Sequence, residues 1–321
     1  MRRRALGGVV LVVGAVSLAS SATGLLGSRT VTSTAAPARF VAAAVGKAGV
    51  FTLRDGSLTR LDIQSPPGRL MIPPPASGPA ARAITVGATR VWIAQGAELL
   101  GYTTNEDSPV PVWSTSARLA SGHLLIASAG AWLWAATSGG REIRPINVHE
   151  PRVWPPTALN LAPVLGALVA VPAPIVGLAA GPASAWTLLR THGGGSAVAV
   201  TTPDARARVA VSSPRAPIAI SAYGELVCVL VRGQVIRINA STGHVVQHIP
   251  VPPSARTVSV YPGHVVLSMP ATGEVIDISL RSPRTRAVTI VSAPVRAVVA
   301  GENDFWASAG ADATPNKFYG F

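Results

Sequence analysis

Apolar residues run along this chain in short, β-prone stretches closed by Gly, Pro, Ser or Asn, with polar residues interleaved in many of them. The clearest copy lies between Pro217 and Val251. Pro217 to Tyr223 and Leu226 to Val231 are apolar, a turn follows at Arg232 and Gly233, and Gln234 to Asn239 sets Val235, Ile236 and Ile238 around Arg237. A second turn, Ser241-Thr242-Gly243, leads into His244 to Val251. Four short strands joined by tight turns are what this pattern predicts. The next stretch repeats it as Thr257 to Val260, His264 to Ser268, Glu274 to Leu280 and Arg286 to Val291.

The same unit recurs along the chain. An apolar pair with an aromatic or β-branched member follows a Gly- or Ala-containing turn at Val50-Phe51, Val91-Trp92, Leu133-Trp134, Ala185-Trp186, Leu226-Val227, Val265-Val266 and Phe305-Trp306. The second members lie 41, 42, 52, 41, 39 and 40 residues apart. A period near 40 is what four strands and their turns need, and it predicts an all-β, seven-bladed β-propeller. A six-bladed ring with a loose tail is the competing count. The long interval places an insertion near His149 to Asn160, read as a loop between the third and fourth strands of the third unit. The last unit has Val295 to Ala300 and Phe305 to Ser308, with Lys317 to Phe321 as a third strand. An open strand row invites aggregation. The β-prone segment Thr30 to Ala35 is therefore expected to pair as the outer strand of that unit and close the ring.

Composition fits this picture. Of 321 residues, 48% are hydrophobic and 13% charged, with 31 Gly and 28 Pro to punctuate short strands. The one cysteine, Cys228, lies in an apolar run, so neither a disulfide framework nor a cysteine-based zinc site is expected. Arg2, Arg3 and Arg4 precede an uncharged stretch from Ala5 to Ser28. Positive charge ahead of an apolar segment holds the amino terminus inside and sends the rest across the membrane. Residues 1–28 are read as a transmembrane anchor or a cleaved signal peptide, and residues 29–321 as the propeller. The expected location is the cytoplasmic membrane, single-pass with the propeller outside, or secretion after cleavage.

The unit Val235-Ile-Arg-Ile-Asn-Ala-Ser-Thr-Gly-His-Val-Val-Gln-His-Ile-Pro-Val resembles the repeats of bacterial extracytoplasmic propellers of the YVTN and NHL type. It shares an apolar strand, a Thr-Gly turn and a second apolar strand ending at a proline. The resemblance spans about residues 40 to 310 and implies the propeller fold. Propellers of this group include binding scaffolds, sensor domains and a few enzymes. Streptogramin lyases, similar in shape, use a histidine and acidic residues around a divalent metal on one face. Their closely spaced Glu and His motif is absent from this sequence.

Catalytic motifs are absent as well: Gly-x-Ser-x-Gly, His-Glu-x-x-His, Gly-x-x-x-x-Gly-Lys and an Asp-rich calcium loop do not occur. The histidines at 123, 149, 192, 244, 248 and 264 are dispersed. His244 and His248 would lie about 13 Å apart on one strand face, too far to share a metal. His149 beside Glu150, and Glu302 with Asp304, are the acid clusters worth testing. No catalytic residue, metal or cofactor is assigned.

The basic pattern is more informative. Arg39, Arg82, Arg118, Arg215, Arg256 and Arg296 stand just before the innermost strand of their units; the fourth unit has Pro172 to Pro174 instead. The link from an outer strand to the next inner strand ends at the rim of a propeller's channel. Six guanidinium groups there would focus positive potential and suit carboxylate or phosphate. Arginines beside strands also bond loop carbonyls or cover apolar surface, and a repeat copies such a structural residue. A formal net charge of +13 favours anionic partners in the envelope, such as lipid headgroups, an envelope polymer or an acidic envelope protein. Basic residues are dispersed, with no Lys/Arg run interleaved with aromatics, which argues against nucleic acid. Trp92, Trp134, Trp186 and Trp306 hold the repeat's anchor position and are expected to pack between blades. Trp154, in the inserted loop, is the candidate partner contact.

The expected function is non-enzymatic binding or scaffolding outside the membrane, with the Arg-lined mouth taking an anionic ligand or partner. The alternative is a lyase-like or hydrolytic enzyme with its site at the same mouth.

Overall fold

The β-branched and aromatic stretches fold as antiparallel strands, and at several of the turns between them glycines adopt the positive φ that other residues rarely reach. Gly233, between two strands of the fifth unit, has φ +76°. The structure is a computed structural model that describes residues 40–46, 49–54, 57–61, 69–72, 81–87, 90–103, 113–120, 122–148, 163–284, 286–291, 294–300, 304–309 and 314–319. The expected leader, residues 1–28, and the closing strand at Thr30 to Ala35 lie outside them.

Among the described residues the strands form seven sheets, each built from strands consecutive in the chain. The first contains β1 (Phe40–Gly46), β2 (Gly49–Arg54), β3 (Ser57–Leu61) and β4 (Arg69–Ile72). The second contains β5 (Ala81–Val86), β6 (Arg90–Gln95), β7 (Glu98–Thr103) and β8 (Trp113–Ser116). The third contains β9 (Leu124–Ala129), β10 (Trp132–Thr137) and β11 (Glu142–Asn147), with the short β12 (Val164–Leu165) and β13 (Val169–Ala170) both paired to β11. The fourth contains β14 (Ile175–Ala180), β15 (Ala185–Arg190), β16 (Ser196–Thr201) and β17 (Arg208–Ser213). The fifth contains β18 (Pro217–Tyr223), β19 (Leu226–Val231), β20 (Gln234–Asn239) and β21 (Val245–Pro250). The sixth contains β22 (Thr257–Tyr261), β23 (His264–Met269), β24 (Glu274–Ser279) and β25 (Arg286–Ile290). The seventh contains β26 (Val295–Ala300), β27 (Asp304–Ala309) and β28 (Thr314–Tyr319).

The first strands of successive sheets touch one another: β1 meets β5, then β5 β9, β9 β14, β14 β18, β18 β22 and β22 β26, and β26 meets β1. Second strands such as β19 and β23 are buried on both faces between neighbouring sheets, which is why β19 reads as an unbroken apolar run and the buried part of β23 is broken only by Ser268. Fourth strands face solvent at the periphery, where Val209, Val246, Val288 and Ile290 are exposed. In the seventh sheet the third strand begins at Thr314, ahead of the expected Lys317. Thr314-Pro315 reads as a turn in sequence, but a strand paired on one side accepts a proline whose missing N–H is not needed. Among the described residues, β28 pairs only with β27.

Three of the anchor tryptophans join their sheet to the next. Trp92 packs with Leu124, Leu133 and Ile146 of the third sheet, Trp134 with Ile175 and Ala185 of the fourth, and Trp186 with Val227 and Ile236 of the fifth. Removing roughly 200 Å² of indole surface from water stabilises each junction by about 5 kcal/mol before entropic costs. At Trp92, room for the ring comes from a small cross-strand partner. Gly101 lies opposite Trp92, and a Cβ there would stand 2.9 Å from the indole Cζ3.

Candidate functional site

In a four-strand meander the turns between first and second and between third and fourth strands fall at one end of the sheets. The turn between second and third strands, and the connection to the next sheet, fall at the other. The arginines singled out in sequence map to this second end. Arg256 lies immediately ahead of β22, and Arg215 lies two residues ahead of β18. Arg118 stands further back, before β9.

Arg82 lies inside β5, one residue past its start, where the sequence pattern had set it before the strand, and Arg296 lies inside β26, whose bounds Val295 to Ala300 match the stretch read from sequence. The register with the neighbouring strand shifts between Ala81 and Ala83 and between Val295 and Ala297. Each of these positions thus falls at a β-bulge, which is invisible in the apolar pattern. The same shift recurs at the starts of β1, β14 and β18. Arg39 and Trp154 lie outside the described residues, as does the insertion at 149–160, which falls between β11 and β12.

Local geometry fixes three of these arginines. Arg118 has φ +48°, the left-handed region that costs a non-glycine residue roughly 1–2 kcal/mol. Its carbonyl accepts an N–H from Arg144 Nη2 at 3.2 Å, and Arg144 Nη1 donates to the Gly166 carbonyl at 2.7 Å. Arg215 Nη1 donates to the Arg232 carbonyl in the β19–β20 turn at 3.2 Å. Arg256 Nη1 donates to the carbonyls of Pro253 at 2.9 Å and Ala255 at 3.0 Å. Carbonyl bonding is the structural role open to arginines beside strands, and in these two it also orients the guanidinium. All of Arg82, Arg118, Arg215 and Arg256 are exposed, and none forms an ion pair among the described residues. His123 and His192 are exposed at the same end, which also carries Glu98, Glu142 and Glu274.

The opposite end holds a cluster that spacing along the chain does not announce. His264 Nδ1 is 3.1 Å from Asp277 Oδ1, and the Tyr261 hydroxyl donates to Asp277 Oδ2 at 2.7 Å. Tyr261 and His264 flank the β22–β23 turn and their rings stack with centroids 4.8 Å apart. One signal was present in the sequence: Asp277 interrupts the apolar run Val275-Ile276-Asp277-Ile278, and an acid there needs partners. His244 and His248 are both exposed on the fifth sheet. Cys228 is fully buried; burial pushes its thiol up to about 12, against a smaller downward pull from Arg237. Among the described residues no group of three His, Cys, Asp or Glu side chains is placed to hold a metal.

No protein-family model and no curated protein matches the chain. Solved structures do. Virginiamycin B lyase from Staphylococcus aureus aligns with a TM-score of 0.67 at 11% identity, over 89% of this chain and 96% of the lyase. The Neurospora crassa Pan2 WD40 domain aligns with a TM-score of 0.62 at 12% identity, over 88% of this chain and 90% of that domain. Sqt1 from Saccharomyces cerevisiae aligns with a TM-score of 0.59 at 9% identity, over 88% and 96%. At these identities the likeness shows the fold alone: the chain is a β-propeller.

Proposed function

We propose that the chain is a seven-bladed propeller of the YVTN/NHL type, held outside the cytoplasmic membrane by residues 1–28 or secreted after their cleavage. Thr30 to Ala35 would close it against β28. It works as a non-enzymatic binding or scaffolding protein whose arginine-bearing end takes an anionic ligand or partner. The observation that carries this reading is a set of exposed guanidinium groups without carboxylate partners, two of them, Arg215 and Arg256, oriented by backbone carbonyls. Strained backbone at Arg118, kept in place through Arg144, fits the same use, because such conformations persist where the surroundings enforce them. Supporting the placement outside the membrane are Arg2 to Arg4 and the uncharged stretch behind them. The enzymatic alternative draws support from likeness in shape to virginiamycin B lyase. Among the described residues the arginine end brings no histidine and carboxylate into contact.

The test uses the exported protein and two anionic probes, inorganic polyphosphate and poly-glutamate. Arg118→Gln/Arg215→Gln/Arg256→Gln should weaken binding at least about tenfold. A control with the same charge change at the opposite end, Arg206→Gln/Arg281→Gln/Arg284→Gln, should bind nearly as the wild type does. Equal losses in both would reduce the effect to net charge and sink the site.

A further inference from the structure

At the junction between the fifth and sixth sheets the packing differs from that at the junctions that follow the second and third sheets. In the second and third sheets a tryptophan on the second strand faces a residue without a long side chain on the third, Trp92 opposite Gly101 and Trp134 opposite Pro145. In the fifth sheet the pair is Cys228 opposite Arg237. Cys228, one position beyond the Val227 that spacing sets in register with the tryptophans, is the residue that faces the following sheet, so a thiol stands where those sheets have an indole and a guanidinium stands opposite it.

A pocket of about 380 Å³ opens between these two sheets at the end opposite the arginine-bearing one, lined by Tyr223, Glu225, Arg237 and Asn239 of the fifth sheet and by Gly263 and Leu280 of the sixth. Its volume lies in the range of small-molecule sites. The sixth sheet makes the same kind of substitution, with Val266 opposite Asp277, but there the charged group is satisfied internally by Tyr261 and His264. Arg237 is not satisfied in this way. Of its five N–H donors one goes to the Leu280 carbonyl, at a long 3.3 Å, and the described residues give the guanidinium no other partner.

A half-buried guanidinium with donors to spare, in a pocket of this size, is a carboxylate receptor. We propose that the pocket binds a carboxylate-bearing molecule of amino-acid size, anchored by Arg237. The exposed Glu225 at the rim faces the ligand's other end and favours a free ammonium over an acylated one. This site is separate from the arginine-bearing end and stands whether or not that end binds anions.

The experiment titrates the full-length protein with leucine, phenylalanine, glutamate and their N-acetyl derivatives by calorimetry. At least one free amino acid should bind, and Arg237→Gln should weaken it at least about tenfold. Cys228→Trp/Arg237→Gly installs the Trp92-Gly101 pair in the fifth sheet; it should fold and lose binding through occlusion. Arg118→Gln/Arg215→Gln/Arg256→Gln should bind as the wild type does. Failure of every probe to bind by about 10 mM, or binding untouched by Arg237→Gln, would overturn the proposal. If the double variant does not fold, Arg237→Gln alone decides.

Discussion

His264 and Asp277 form a hydrogen-bonded pair, Nδ1 to Oδ1 at 3.1 Å, beneath the turn that joins β22 to β23. Asp277 is 4% exposed, so its carboxylate depends on protein partners, and the Tyr261 hydroxyl supplies the second at 2.7 Å. An ionised carboxylate in such a place is tolerated only when bonded. Tyr261→Phe removes one donor while keeping the ring stacked on His264. It should cost about 1–3 kcal/mol in urea unfolding, the usual consequence of stranding a buried polar atom. A double-mutant cycle with His264→Ala should show coupling, since both donors serve one carboxylate. A cost below about 0.5 kcal/mol would mean that water replaces the hydroxyl.

Trp92 and Gly101 set a second, steric dependence. A methyl at Gly101 would press on an indole walled in by the third sheet, with its Cβ 2.9 Å from Cζ3. Gly101→Ala should therefore destabilise by about 1–3 kcal/mol through overpacking, despite the usual entropic benefit of replacing glycine. In the Trp92→Phe background the penalty should shrink, because the smaller ring leaves space for the methyl. Thermal melts of the two single variants and the double variant measure this, and strict additivity would contradict the contact.

Much of this architecture was legible in the chain because burial and period coincide. Strands β18 to β20 begin and end where the apolar runs do, since each run is bounded by residues that demand a turn. The anchor tryptophans could be placed between sheets because a large apolar residue recurring every 40 or so positions has no other dry place to go. The bulges at Arg82 and Arg296 were hidden, because a one-residue register shift leaves the apolar pattern intact. Hidden too was the Tyr261-His264-Asp277 cluster, whose members are brought together by cross-strand pairing and not by spacing along one strand. The pocket at Arg237 could not be read from composition at all. It follows from comparing opposed residues across sheets, which requires the register.

Cys228 makes alkaline stability a measurable signature. Burial raises its folded value to about 12 from the ordinary 9.0 of a free thiol, and the buried Tyr102 hydroxyl is also pushed upward. For a raised group the stabilising preference for the protonated form is fully present below the unfolded value. As pH climbs from about 9 toward 12 the unfolded chain sheds the proton first, so stability falls by at most about 1.4 kcal/mol per pH unit from this thiol. Cys228→Ala should flatten the decline of the urea midpoint above pH 9, even while lowering stability at pH 7 through poorer packing. An unchanged slope would show that the thiol reaches solvent in the folded protein. Native Cys228 should likewise resist alkylation at pH 8, reacting only as fast as the fold opens.

Trp186 separates packing from hydrogen bonding at a blade junction. Its indole is fully buried against Val227, Val229 and Ile236 of the next sheet, yet its Nε1–H has no acceptor among the described residues. Trp92 and Trp134 are in the same position at their own junctions. The repeat therefore keeps tryptophan for ring area and accepts a stranded donor in three successive blades. A stranded buried donor costs about 1–3 kcal/mol, comparable to the apolar packing forfeited when an indole is trimmed to a phenyl ring. The two effects oppose each other in Trp186→Phe, so the net change should stay within about 1 kcal/mol. Trp186→Ala carries no such compensation for the volume removed and should cost about 3–5 kcal/mol. Unfolding in urea distinguishes the cases directly. A large loss of stability for Trp186→Phe would mean that a water molecule bridges the indole in solution, and with it the boundary between the fourth and fifth sheets would be wet.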